Sequence, residues 1–240
     1  MFDPHHDALL RLIRDQGGEA LPLDSDLVER RDSRKNAVIS STLWTLPGLR
    51  RWRVTRLDAG DSVQVLNAVA YPDFDREQPL LGIDLLSFAA RDKLVAVMDF
   101  QPLRQSNTYI EHYLGGLKRL HDSYPTLSPG ETMRSYDSNK FFSPYLLFAR
   151  GKPAELGSVL EEAFQGLLAA YMDLHAACEP QRSLSSEVRE LQNDYDQYSA
   201  ERDPAHGLFV SYFGKDWADR FLHTFLFPGV DGEPQAEVTS

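Results

Sequence analysis

The sequence predicts an α+β domain in which one central antiparallel sheet is covered by helices on both faces. Three observations carry this. Five strand-like runs follow one another between residues 37 and 101, and their short connectors make successive strands antiparallel. Beyond Pro102 the apolar period changes to helical spacing, and a single amphipathic segment precedes the strands. The 240 residues, 42% of them hydrophobic, suffice for one substantial core. No linker, repeat or low-complexity tract divides the chain, so residues 1–240 are read as a single domain, with 230–240 as a frayed tail.

Each element has a local reason. Residues 4–15 place Leu9, Leu10 and Ile13 on one face and end at Gly17-Gly18, as a helix does. Residues 19–35 are polar and read as an irregular loop. The five strands cover 37–45, 50–57, 62–71, 80–88 and 93–101, punctuated by Pro47-Gly48, Ala59-Gly60-Asp61, Pro72-Asp73 and Arg91-Asp92. Arg51, Arg53 and Thr55 alternate with Trp52, Val54 and Arg56, the pattern of a sheet with unlike faces. Residues 109–121 read as a helix interrupted by Gly115-Gly116, and 145–150 as a sixth strand. Residues 155–178, 186–199 and 216–227 carry helical patterns, the last ending at Pro228-Gly229.

Composition excludes several functions. A net charge of -11 opposes general nucleic-acid binding, which needs a basic surface. A local basic cluster nevertheless stands out: Arg30, Arg31, Arg34, Lys35, Arg50, Arg51 and Arg53, opposed only by Asp32. Such a cluster either forms a solvated edge or steers an acidic partner. No apolar run spans a bilayer, and the beginning resembles neither a secretory signal nor a transit peptide, so a cytoplasmic monomer is expected. The lone Cys178 excludes an intrachain disulfide and a cysteine-rich metal site. Dinucleotide, P-loop, zinc-hydrolase and serine-esterase motifs are all missing from the sequence. His112, His121 and His175 lie on or beside helices without a matching ligand set.

Two acids stand out. Asp84 sits inside the apolar run Leu80-Leu81-Gly82-Ile83-Asp84-Leu85-Leu86, where an ionised carboxylate must find a partner or remain protonated with a raised pKa. It is either a buried structural Asp or a catalytic acid. Asp203 lies in Glu201-Arg202-Asp203-Pro204-Ala205-His206-Gly207, where Pro204 and Gly207 restrict the turn; it either caps that turn or faces a site.

These segments, with Val65-Leu66-Asn67, Tyr71-Pro72, Asp99-Phe100-Gln101-Pro102-Leu103, and residues 50–62, 94–97, 131–136, 213–217 and 220–223, closely resemble the ferredoxin-dependent bilin reductases over nearly the whole chain. The resemblance implies a three-layer α/β/α sandwich, with the bilin between the sheet and the C-terminal helices. It implies no bound flavin, nicotinamide or metal: electrons arrive singly from reduced ferredoxin, an acidic protein that the basic cluster would suit. Asp84 and Asp203 correspond to the family's sheet-side and helix-side catalytic aspartates. Arg134 corresponds to a propionate-binding arginine, Lys93 and Arg202 are further candidates for that duty or surface charges, and His206 either supports Asp203 or lines the pocket.

Asn67 narrows the chemistry the resemblance implies. Family members that make phycocyanobilin carry a histidine at this position, and an amide cannot relay a proton as that histidine does. The expected reaction is therefore two-electron reduction of biliverdin IXα at the 15,16 methine bridge to 15,16-dihydrobiliverdin, in phycoerythrobilin biosynthesis. The four-electron route directly to phycoerythrobilin shares the same words and both acids. A non-catalytic bilin carrier is the remaining alternative, and a handover complex with the next bilin reductase is open.

Overall fold

The computed structural model describes residues 1–130, 136–137 and 139–230. Helix α1 (Asp3–Asp15) opens the chain, followed by β1 (Glu19–Leu21), the single turn α2 (Ser25–Val28) and β2 (Glu29–Asp32). Four long strands come next: β3 (Ala37–Leu46), β4 (Leu49–Asp58), β5 (Gln64–Tyr71) and β6 (Leu80–Phe88), completed by β7 (Lys93–Gln101). Then follow α3 (Asn107–Tyr113), α4 (Gly115–Ser123), β8 (Leu147–Gly151), α5 (Pro153–Ala177), α6 (Ser185–Arg202), α7 (His206–Phe213) and α8 (Lys215–Phe221), with a π-helical turn at Leu222–Leu226.

All strand pairs are antiparallel. The order is β1-β3-β4-β5-β6-β7-β8, with β2 also pairing β3, so β3 to β7 form a meander. Two strands within residues 19–35 correct the expectation of an irregular loop there. Both are short, and they exist because β3 offers one edge to β1 through Leu43–Thr45 and to β2 through Ala37–Ser40. The interrupted helix is two helices meeting at Leu114, and α7 occupies residues read as part of a turn.

Alternation along the meander gives the sheet two covered faces. One presents Trp52, Ala68, Leu81 and Phe100 to α1 and α3–α5. Trp52 and Phe100 meet the Tyr171 ring of α5 edge-on at 6.4 and 5.3 Å. Each such aromatic pair adds about 1 kcal/mol beyond its buried area.

The other face carries Arg51, Arg53, Thr55, Asn67 and Asp84 beneath α6–α8. This helical layer is pinned from several sides. Arg51 donates to the Phe225 carbonyl, Trp217 Nε1 donates to the Asp26 carbonyl at 3.1 Å, and Tyr71 Oη donates to Asp196 Oδ1 at 2.7 Å. Inside the layer Trp217, Phe221 and Phe225 stack at 4.6 and 5.2 Å.

Burial divides the basic cluster seen in the sequence. Arg51 and Arg53 are only 2% and 1% exposed and face the interior, so they are not part of any docking surface. Arg50 reaches Gln192 at 2.9 Å and lies over the Tyr71 and Phe74 rings. The exposed members are Arg31, Arg34 and Lys35 on the β2–β3 hairpin.

Candidate active site

Between the sheet and the C-terminal helices lies a cavity of about 440 Å³. Its floor comes from β4–β8 and includes Arg53, Asn67, Gly82, Asp84 and Val97; its roof includes Tyr136, Tyr195, Asp203, Phe209 and Phe227. The two acids singled out in the sequence therefore line opposite walls of one space. They come together because Asp84 points to the α6 side of β6, while α6 ends one residue before Asp203.

Asp84 pairs across the sheet with Asn67 on β5 and Val97 on β7. Asn67 Nδ2 donates to Asp84 Oδ1 at 3.0 Å, and Arg53 Nη1 donates to Asn67 Oδ1. Burial pushes the Asp84 carboxyl up to about 6; the Asn67 hydrogen bond opposes this, Asp203 adds to it and the Arg53 charge opposes it. What exposure Asp84 keeps is toward the cavity, which it lines.

Asp203 accepts from the Ala205 N–H at 2.7 Å, so it does brace the turn into α7 while also lining the cavity. Burial raises its pKa, and the Ala205 N–H, Arg53 and His206 act in the opposite direction. Each carboxyl is thus biased toward its neutral form by apolar surroundings, and Arg53 is the cation nearest in effect to both.

A raised pKa does not by itself mark the site. Asp99 on β7 is pushed up to about 7 by burial, yet it is fully enclosed and accepts from Ser143 N at 2.9 Å and Ser143 Oγ at 2.5 Å. It anchors the segment around Phe141 and Phe142 instead of meeting the cavity.

The other expected residues divide. Lys93 lines the cavity rim with its ammonium 5.9 Å from the Phe88 ring. Arg202 lies outside, over the Tyr198 ring at 4.4 Å and paired with Glu201 at 2.9 Å. His206 turns to Asp219 on α8 at 2.8 Å and does not line the cavity. Arg134 lies outside the described residues.

Sequence reasoning overlooks several lining groups. Arg53 is hidden by its place in a basic run, although its even spacing with Arg51 and Thr55 marks its face. Tyr195 on α6 donates to Gln101 Oε1 at 2.7 Å, and Gln101 in turn lies across Gly82. A Cβ at Gly82 would stand 2.5 Å from Gln101 Oε1, so glycine is what lets that side chain cross the sheet. Among the described residues no group of three or more His, Cys, Asp or Glu is arranged to hold a metal, and no helix is long and apolar enough to cross a membrane.

Comparison with known proteins fits this geometry. The chain is 53% identical to the 15,16-dihydrobiliverdin:ferredoxin oxidoreductase of Prochlorococcus marinus (strain MIT 9303), covering 99% of this chain and 97% of the relative. It is 54% identical to the protein of the same name from Parasynechococcus marenigrum (strain WH8102), covering 95% and 98%. The crystal structure of tomato phytochromobilin synthase in complex with biliverdin superposes with a TM-score of 0.85 at 22% identity, covering 98% of this chain and 86% of that one. That likeness is one of fold and bears out the three-layer sandwich. The model of the family described as ferredoxin-dependent bilin reductase matches residues 6–228, and the chain belongs to that family.

Proposed function

We propose that this chain catalyses two-electron reduction of biliverdin IXα at the 15,16 methine bridge, giving 15,16-dihydrobiliverdin, with electrons delivered singly by reduced ferredoxin. The observation that carries the reading is the pair of acids, Asp84 and Asp203, on opposite walls of one largely apolar cavity. The names of the half-identical relatives support the choice of product.

The reaction consumes two electrons and two protons. A neutral bilin accepts an electron reluctantly, and a proton placed on the conjugated system lowers that cost. Asp84, with its carboxyl held near 6, supplies a proton from the sheet side before or with the first electron. The resulting neutral radical takes the second electron, and Asp203 delivers or directs the second proton to the C15–C16 region from the helix side. Both carboxylates are then reprotonated from solvent. The apolar roof, including Phe209 and Phe227, keeps water from the radical. Ferredoxin docks on the exposed arginines and lysine of the β2–β3 hairpin, whose Lys35 reaches the Ser211 carbonyl on α7, two residues beyond Phe209.

Anaerobic turnover with biliverdin IXα and reduced ferredoxin, followed by product spectra and chromatography, tests this. The expected product is 15,16-dihydrobiliverdin alone. Phycoerythrobilin would establish the four-electron route, and binding without turnover would establish a carrier; either refutes the proposal.

A further inference from the structure

Arg53 is a buried cation whose placement serves neither a surface ion pair nor the helical layer alone. Its Nη1 donates to Asn67 Oδ1, and its guanidinium lies 5.0 Å from the Phe227 ring, which fixes it between the floor and the roof of the cavity. A guanidinium has only donors, so the Asn67 atom facing it must be the amide oxygen. The Asn67 NH2 group is then left facing Asp84, at 3.0 Å from Oδ1. An oxygen that accepts this N–H cannot at the same place carry the acid's proton.

We propose that Arg53 is a positioning residue for Asp84: by locking the Asn67 amide it makes Oδ1 the accepting oxygen and Oδ2 the oxygen that carries the proton toward the substrate. Without Arg53 the amide is free to turn its oxygen toward Asp84, where it would accept the acid's own proton and hold it back. The device explains how an asparagine, which cannot exchange a proton, still governs proton release. It rests on the role given to Asp84 above.

The charged and titratable groups facing Asp84 are Arg53 from β4, Asp203 from the end of α6 and Tyr136, while its cross-strand neighbours are Asn67 and Val97. Arg53 acts to lower the pKa of both acids, so loss of its charge and loss of the amide lock push Asp84 in the same direction.

The test is a carboxyl-carbon NMR titration of Asp84 in the full chain without substrate, assigned by comparison with Asp84→Asn. Arg53→Met is expected to move the Asp84 midpoint upward by about one pH unit or more. Arg53→Lys, another donor-only cation, keeps it near the parent value. An unmoved midpoint in Arg53→Met overturns the proposal, as does an equal rise in both variants, since a simple packing defect would give that. Should Arg53→Met not fold, Asn67→Ala removes the middle of the same relay and must also raise the midpoint; an unmoved value again overturns it. The titration needs no turnover, so it stands apart from the reaction assignment. If Asp84 is the proton donor, the pH profile of single-turnover reduction follows the same shift. A shifted titration with an unshifted profile leaves the positioning role intact and refutes the proposed reaction step.

Discussion

Replacing Asp84 by Asn should make the protein more stable at neutral pH while removing its reductase activity. The burial that pushes the carboxyl from 3.8 up to about 6 means that the folded chain holds a proton more tightly than the unfolded chain does. The stability this contributes is fully present below the unfolded pKa and is lost as pH rises toward and through the folded one. By pH 7.5 the lost stabilisation approaches ~3 kcal/mol, taking 1.36 kcal/mol per pKa unit over roughly 2.2 units. An amide of the same shape carries no such burden, and its oxygen still accepts from Asn67 Nδ2. Urea denaturation of both proteins at pH 7.5 and pH 5 is the assay. Asp84→Asn is expected to be more stable by up to ~3 kcal/mol at pH 7.5, with about half that advantage at pH 5, because the parent carboxyl is then protonated. Titrating groups that do not interact with Asp84 cancel in the difference. A variant no more stable than the parent at pH 7.5, or an advantage independent of pH, would refute the claim that Asp84 is held as a poised acid. Reduction of biliverdin at the parent rate would refute its catalytic role.

Other expectations concern the rest of the site. Single-turnover reduction should slow above pH 6 to 7, about tenfold per pH unit, because the acid must be protonated to act and its carboxyl sits near 6; a rate rising with pH contradicts this. Asp203→Asn should retain biliverdin binding, seen as an unchanged bound absorption spectrum, while losing formation of the 15,16-dihydro product. Gly82→Ala should cost about 1–3 kcal/mol and slow turnover, since the new methyl meets Gln101 Oε1 at 2.5 Å and displaces it from Tyr195; denaturant midpoints check this. Asp196→Ala should destabilise by about 2–4 kcal/mol, because both the Tyr71 hydroxyl and the Gly229 N–H lose a buried acceptor.

The sequence carries the main architecture because the strands of the meander are long and their connectors short. It carries the two acids for a different reason: a carboxylate inside an apolar run is conspicuous, and so is one beside a proline-restricted turn. Register is harder to read. Asn67 faces Asp84 only because the connector 72–79 sets β5 against β6 as it does, and nothing in that polar stretch announces the alignment. Strands β1 and β2 escape notice because their stability comes from the waiting edge of β3 and not from their own composition. Arg53 misleads most. Charge counting groups it with surface arginines, whereas its position in the alternation with Trp52 and Val54 places it on an inward face of a fully covered strand. The sequence reads His206 as either supporting Asp203 or lining the pocket; it stays outside the lining, bonded to Asp219, and its charge acts on the Asp203 carboxyl.

The two walls of the cavity are held by different kinds of bond, and this gives the enzyme unequal halves. The floor is a ladder of backbone hydrogen bonds running from β4 to β8. The roof is fastened to it by side chains, chiefly Arg51 and Tyr71 with Asp196. Amide hydrogens of Asn67 and Asp84 should accordingly exchange with deuterium only when the whole molecule unfolds, whereas those of α7 exchange through smaller openings. Admission and release of a large, flat tetrapyrrole then fall to the roof alone, and the floor that carries Asp84 keeps its alignment throughout the cycle.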